Sequence, residues 1–177
     1  MEICGKKLTF WCVVVLSSSL LLALPLFFFA NVVDAWAGQR YVVGMVSKVR
    51  DGDSFHIKSE SRGYEVRLWG IDCPEHGQPY GNAARKLSRG LGEGRLVQVL
   101  IKDWDQYGRI VGIVTVDGLV VNEELVRQGS AWVYDRYCRD AVCDRWRQLE
   151  KKARAEGLGL WARRQPIPPW QWRRSHR

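Results

Sequence analysis

The chain has 177 residues, of which 46% are hydrophobic and 26% are charged. This composition excludes a disordered or collagen-like protein, and the length fits one domain with short appendages. The formal net charge of +8 favours an anionic partner, but the excess lies at one end. Residues 136–177 contain 12 basic and 4 acidic residues, whereas residues 38–135 contain 13 of each. We therefore expect the C-terminal region to attract nucleic acid without sequence preference.

The first 37 residues have the pattern of an export signal. Lys6 and Lys7 precede an uncharged, apolar run over residues 8–30, and Ala35-Trp36-Ala37 is a small-x-small cleavage site. We predict cleavage after Ala37 and export to the periplasm, the cell envelope or the medium. The alternative is an uncleaved membrane anchor, because a run of ~23 residues is long enough to span a bilayer.

Export would place the three cysteines that follow the signal, Cys73, Cys138 and Cys143, in an oxidising compartment. Cys138 and Cys143 are close in sequence, and we predict a local disulfide between them. Zinc is the alternative, although two cysteines without a matching Cys or His pair make a poor site. Cys73 is then the odd thiol. We interpret it as a small buried side chain, because no histidine is placed to activate it as a nucleophile.

The mature chain begins with a mostly stranded region. Alternating and β-branched residues predict strands at 41–49, 54–58, 63–69, 95–102, 108–116 and 119–121, with a hairpin turn at Asp117-Gly118. Helices are predicted at 79–91, from an Asn122 cap to Gly129, and at 140–156. The prolines and tryptophans of residues 161–177 predict that this tail is an extended segment docked on the domain. The expected fold class is α+β: a five-stranded β-barrel of the oligonucleotide/oligosaccharide-binding (OB) type with about three α-helices.

Carboxylates lie at the edges of two predicted strands. Asp53 follows the Asp51-Gly52 turn, and Asp72 follows the strand at 63–69. Two carboxylates brought together repel unless a cation lies between them, and such oxygens suit Ca²⁺ or Mg²⁺. Glu75, three residues after Asp72, is a candidate base for water at that site. A simple turn is the alternative interpretation of the Asp-Gly-Asp run.

Two arginines are candidates for phosphate binding. Arg67 lies in an otherwise hydrophobic strand, and Arg109 follows a Tyr-Gly turn. A guanidinium makes two parallel hydrogen bonds to phosphate oxygens, which makes it suited to this task. The alternative for Arg67 is an ion pair with Glu65 or Glu93 on a solvated face.

These runs resemble the staphylococcal nuclease family over about residues 41–161. The run Arg67-Leu68-x-Gly70-Ile71-Asp72-x-Pro74-Glu75 is highly specific, and Tyr107-Gly108-Arg109 adds to it. Residues 121–129 resemble the second helix of the family, and Pro168-Pro169-Trp170 resembles the tail of its exported bacterial members. The resulting organisation is a signal or anchor at 1–37, a nuclease-like OB-fold domain at 38–161 and a basic tail at 162–177.

The resemblance implies a metal site. Asp53, Asp72 and the backbone carbonyl of Cys73 would bind Ca²⁺, with Mg²⁺ the less favoured ion, and Glu75 would act as general base or orient the water. Cys73 stands where the archetype has threonine, but only its carbonyl is needed. The segment 76–79 is much shorter than in the archetype, where that loop touches nucleic acid.

The resemblance also implies substrate contacts. Arg67 and Arg109 would hold the scissile phosphate, and Tyr107 and Tyr134 would contact the nucleotide. Gln106 replaces a lysine of the archetype and so removes one phosphate contact.

The expected function is an exported, metal-dependent endonuclease. It would act as a monomer on DNA, RNA or both and leave 3′-phosphates, as the resemblance implies. The first alternative is a non-catalytic nucleic-acid-binding OB-fold protein. The residue types at every catalytic position argue against it. The second alternative is a structural envelope protein, held by a disulfide and a membrane anchor.

Overall fold

A computed structural model describes residues 38–60 and 62–176 of the chain. The predicted signal or anchor at 1–37 therefore lies outside the described residues. Within the described ranges, no helix is long and apolar enough to cross a membrane.

Five strands form a closed barrel, as the sequence predicted. Its strands are β1 (Tyr41–Asp51), β2 (Ser54–Ser59), β3 (Arg62–Leu68), β5 (Leu96–Trp104) and β6 (Ile110–Val116). They lie in the order β3-β2-β1-β5-β6 with antiparallel neighbours, and a parallel pairing of β3 with β6 closes the sheet. The closure brings Arg67 opposite Val111. Charged residues on β3 and in the loop before β6 are thereby placed on one side of the barrel.

The period-two pattern of the strands supplies the barrel core. One side chain in two points inward, and the inward residues include Val46, Phe55, Ile57, Val99 and Ile110, each at most 1% exposed. Burial of such a side chain contributes about 1.5–3 kcal/mol. Strand β1 is long enough to pair with both β2 and β5, and register shifts after Val46 and Val49 bend it.

Shorter elements surround the barrel. They are the strands β4 (Ile71–Asp72), β7 (Leu119–Val120) and β8 (Trp132–Val133), the helices α1 (Gly81–Gly92), α2 (Val121–Arg127), α3 (Val142–Ala155) and α4 (Pro169–Ser175), and a 3₁₀ helix at Gly159–Ala162. Helix α1 packs on β1, and α2 packs against α3. Strand β4 pairs antiparallel with β8, with Asp72 opposite Trp132. The two-residue strand β7 follows the predicted hairpin turn, where Asp117 and Gly118 both have positive φ.

Two expectations about helices were wrong. Asn122 does not cap α2, because the helix already begins at Val121 and the Asn122 side chain is fully buried. Its amide instead accepts the N–H of Val114 at 3.0 Å and donates to the carbonyl of Trp69 at 2.9 Å. The tail is docked as expected but is not extended throughout. Proline is favourable in the first turn of a helix, and Pro169 begins α4.

Cys138 and Cys143 form a disulfide in the structure, with their Cα atoms 5.7 Å apart. Both residues are fully buried beside Trp146, so the bridge is part of the core. It connects the segment after β8 to the first turn of α3. The same segment carries Tyr134, one of the residues predicted to contact nucleotide.

Candidate active site

The centre of the candidate site is Arg67, which lies between two buried aspartates. Its Nη1 is 3.0 Å from Asp53 Oδ1, and its Nη2 is 2.6 Å from Asp72 Oδ1. Asp53 is 2% exposed and Asp72 is fully buried. The predicted alternative, a solvated pair with Glu65 or Glu93, is wrong. Those two carboxylates pair instead with Arg50 and Arg89.

A close approach between two chain segments brings the aspartates together. Asp53 Oδ2 accepts the N–H of Cys73 at 2.8 Å, which ties the turn after β1 to the end of β4. A Cβ atom on Gly52 would lie only 2.5 Å from the Cβ of Cys73, so only glycine fits there. The Cys73 thiol is 3% exposed, and burial raises its pKa well above the usual value. It is therefore an inert thiol, as the sequence indicated.

The electrostatics of this centre favour an added cation. Burial raises the pKa of Asp53, and the charge of Arg67 opposes that rise. Conversely, the charge of Asp53 is the main cause that raises the pKa of Arg67, which stays cationic. Arg67 is thus shared by two carboxylates, and although Arg173 of α4 also pairs with Asp72, burial of the Asp53 charge is only partly compensated.

Calcium fits this donor set by its chemistry. Ca²⁺ prefers carboxylate and carbonyl oxygens and completes its shell with water. Asp53, Asp72 and the Cys73 carbonyl would be its protein ligands. In residues 38–60 and 62–176, no group of three or more His, Cys, Asp or Glu side chains is arranged to hold a metal. A bound ion would therefore depend on backbone and water oxygens in addition to the two carboxylates.

Glu75 is held by the short turn that follows it. Its N–H donates to Gln78 Oε1 at 2.9 Å, and its carbonyl accepts the N–H of Gln78 at 3.0 Å. Gln78 Nε2 in turn donates to the carbonyl of Ile167 at 2.6 Å. The shortened loop therefore docks on the C-terminal segment, and this contact fixes the backbone that carries Glu75.

Arg109 is organised by Asp105, a residue to which the sequence gave no role. Asp105 Oδ1 accepts the backbone N–H groups of Tyr107 and Arg109, and its Oδ2 lies 2.6 Å from Arg109 Nε. Partial burial would raise the pKa of Asp105, but these donors outweigh it and lower the pKa. Positive φ at Gly108 completes the turn. The side-chain hydrogen bond of Arg109 to this aspartate uses Nε, which leaves its four Nη–H groups as donors for another partner.

One cavity of about 590 Å³ unites five predicted residues from separate parts of the chain. They are Arg67, Glu75, Tyr107, Arg109 and Tyr134. Tyr107 is 76% exposed at the rim. Asp53, Asp72 and Cys73 do not line the cavity but lie behind Arg67, which connects them to it.

The aromatic side of the cavity differs from the expectation. Tyr134 lines the cavity, but its ring stacks on Trp170 of α4 at 4.9 Å with the planes 6° apart. Tyr137, which the sequence did not single out, also lines the cavity and is 55% exposed. Tyr107, Tyr137 and Trp104, which is 41% exposed and also lines the cavity, are thus aromatic surfaces available to a base.

The largest omission from the sequence reasoning is Arg173 on α4. Its Nη2 is 2.8 Å from Asp72 Oδ2 and its Nη1 is 3.1 Å from Asp72 Oδ1, and Nη1 also bonds Glu75 Oε1. We expected the basic C-terminal region, which includes Arg173, to attract nucleic acid. That expectation did not include the contacts by which the helical tail directs Arg173 to two carboxylates. Partial burial would lower the pKa of Arg173, but these two carboxylates outweigh it and raise the pKa. An OB-type barrel with three arginines and Glu75 around one cavity defines a class of protein suited to bind and cleave phosphodiesters.

Comparisons with known proteins agree with this class. The family model of the staphylococcal nuclease homologues matches residues 65–163. An uncharacterized endonuclease of Escherichia coli is 39% identical over 131 residues, which cover 73% of this chain and 84% of that protein. The probable staphylococcal-like nuclease CAN1 of Oryza sativa subsp. japonica is 40% identical over 114 residues, which cover 64% of this chain and 34% of the rice protein. The staphylococcal-like nuclease CAN1 of Arabidopsis thaliana is 39% identical over 114 residues, with the same two shares.

The chain belongs to the staphylococcal nuclease family, a family of phosphodiester hydrolases. The matched stretch contains most of the cavity residues. Asp53 and Arg173 lie outside it.

Proposed function

We propose that the chain is an exported, calcium-dependent endonuclease that hydrolyses phosphodiester bonds of DNA, RNA or both as a monomer. One observation carries the proposal: the cavity is lined by Arg67, Arg109 and Glu75, from three separate stretches of the chain. Two guanidinium groups and a carboxylate are the groups that hydrolysis of a phosphodiester requires. The C-terminal excess of basic residues adds a salt-sensitive attraction for nucleic acid.

The two arginines have donors to spare for a phosphate. Arg67 Nη2 donates one hydrogen bond to Asp72 and its Nη1 forms an ion pair with Asp53, so at least three of its five N–H donors remain. Arg109 uses only Nε on Asp105. Both side chains are about one-quarter exposed, at 23% and 27%, so they reach the cavity from fixed positions. Donors fixed before the reaction stabilise the charge that develops on the phosphoryl oxygens.

In the proposal, Glu75 receives a proton from the attacking water. Its Oε1 is bonded to Arg173, while no donor in the described residues is bonded to Oε2. In the proposed reaction, water attacks phosphorus, its proton passes to Glu75 and the P–O5′ bond breaks. The leaving O5′ takes a proton from a second water molecule, and Glu75 returns its proton to the hydroxide that remains, which gives a 5′-hydroxyl and a 3′-phosphate. A bound calcium ion would supply a Lewis acid at the phosphate.

The test is a cleavage assay on the full chain, purified in detergent so that residues 1–37 are retained. Supercoiled plasmid, single-stranded DNA and RNA are incubated with calcium, with magnesium and with a chelator. We expect cleavage with calcium and none with the chelator. Glu65→Gln is the matched control for Glu75→Gln, because Glu65 is an exposed carboxylate on the same barrel. Retardation of nucleic acid on gels without cleavage would instead support the non-catalytic binding protein.

Export has its own test. The protein is recovered from the fractions of cells that express the full chain, and its N-terminus is sequenced. We expect it outside the cytoplasm with Gly38 as its first residue. An exported chain that retains residues 1–37 would support the membrane anchor, and a cytoplasmic one would contradict export.

A further inference from the structure

The C-terminal segment is fastened to the candidate site by three separate contacts. Trp170 stacks on Tyr134 and also meets the edge of Trp132, with ring centroids 6.5 Å apart. Ile167 lies two residues before Pro169, where α4 begins. Its carbonyl accepts a hydrogen bond from the side chain of the buried Gln78. These contacts fix α4 beside the loop that carries Glu75.

Docking of α4 delivers one guanidinium to two carboxylates. Arg173 forms a fork on both oxygens of Asp72, and the same Nη1 bonds Glu75. The Asp72 side chain is fully buried, while the side chains of Arg173 and Glu75 are 35% and 29% exposed. Without Arg173, Asp72 and Glu75 would repel each other with only Arg67 nearby to offset them. A forked, charge-assisted contact of this kind fixes distance and orientation together.

We propose that Arg173 is a positioning residue of the nuclease site: it holds the Glu75 carboxylate against Asp72 through Oε1, so that Oε2 faces the cavity. This assignment rests on the proposed function, and it places a residue from outside the family-matched stretch 65–163 in the reaction.

The contrary view is that α4 blocks the site and inhibits it. The cavity argues against this view, because it remains open at about 590 Å³ with Arg173 in its wall beside Arg67 and Arg109. Arg173 also leaves one lone pair of Asp72 Oδ2 unused, since that oxygen accepts one hydrogen bond and can accept two.

The experiment measures kcat and KM on DNA with calcium for the full-length wild type, Arg173→Gln, Arg173→Lys and Arg174→Gln. Arg174 is the matched control, because it is the next residue of α4 and is exposed. We expect Arg173→Gln to lower kcat at least 10-fold with KM changed less than about 3-fold. Arg173→Lys should fall between this variant and the wild type, because lysine keeps the charge without the fork. Arg174→Gln should keep the wild-type kcat, and any loss of the nonspecific attraction should appear only in KM and in its salt dependence.

A second comparison separates positioning from a structural role. Because Arg173 acts through Glu75, Arg173→Gln should not lower further the residual rate of Glu75→Gln. A merely structural role would lower that rate by the same factor as in the wild type. An unchanged or raised kcat in Arg173→Gln would overturn the assignment, and a raised kcat would establish the inhibitory view. A wild type that does not cleave would refute the proposed function itself, which distinguishes the two failures.

Discussion

Replacing Arg67 by lysine removes a bridge that no single ammonium group can rebuild. Arg67 reaches Asp53 and Asp72 with two different nitrogens, at 3.0 Å and 2.6 Å, and still presents donors to the cavity. Lysine keeps the positive charge but has one nitrogen at the end of a flexible stem. It can satisfy the aspartates or a phosphate, but not both with fixed geometry. The substitution therefore tests geometry at constant charge.

Arg67→Lys should lower both kcat and the free energy of unfolding. Loss of one preorganised donor group costs ~2–4 kcal/mol of the activation barrier, which is about 30- to 1,000-fold in kcat. A buried carboxylate left without its partner costs ~1–3 kcal/mol of folding free energy, or roughly 2–12 °C in Tm. This loss of folding free energy should exceed the loss caused by the same substitution at a solvated strand arginine, because the two aspartates are almost fully buried.

The assay for Arg67→Lys combines kcat and KM on DNA with thermal melts, and Arg50→Lys is the matched control. Arg50 also pairs with a carboxylate on the barrel, but its side chain is 59% exposed. We expect the control to keep its kcat and to change the free energy of unfolding by less than about 0.5 kcal/mol. If Arg67→Lys cleaves as fast as the wild type below its Tm, Arg67 does not clamp the phosphate and this reasoning is wrong.

Three further predictions use other parts of the chain. Arg109→Lys should lower kcat at least 10-fold with little change in Tm, because Arg109 is held by Asp105 at the cavity wall and not in the core; equal kcat values for variant and wild type would contradict it. Replacing both Cys138 and Cys143 by alanine should lower the free energy of unfolding by ~2–3 kcal/mol, measured by denaturant melts. Mass spectrometry should find these two cysteines bonded in the exported protein, and free thiols there would contradict the pairing. Addition of calcium to the metal-free chain should raise Tm, because a ligand that binds only the folded state stabilises it; an unchanged Tm at millimolar calcium would argue against a calcium site.

The sequence predicted the barrel well because its signals are local. Strands with alternating apolar residues must bury one face, and the turn at Asp117-Gly118 marks the hairpin that leads into α2. The helix at the tail was missed because prolines and tryptophans indicated an extended chain. Proline suits the first turn of a helix, and Pro169 occupies that position.

The candidate site could be predicted only where its residues share short runs. Arg67, Asp72 and Glu75 lie within nine residues of each other and carry the specific motif. Arg173 lies 101 residues from Asp72, and its contact depends on how α4 docks against Tyr134. A basic tail gives no local signal that distinguishes a buried ion pair from a solvated charge. The role of Asp105 was equally hidden, because its hydrogen bonds to backbone N–H groups follow from the turn geometry.

In the proposed function, Glu75 and its surrounding arginines hydrolyse phosphodiesters. The most direct measurement is kcat for DNA cleavage with calcium by the wild type, Glu75→Gln and Glu65→Gln, alongside calcium binding by calorimetry. A positioned base contributes ~10²–10⁴ in rate, so Glu75→Gln should lose at least about 10²-fold in kcat while it still folds and binds calcium. Glu65→Gln should match the wild type. Near-wild-type turnover by Glu75→Gln would remove Glu75 from the mechanism and contradict the account.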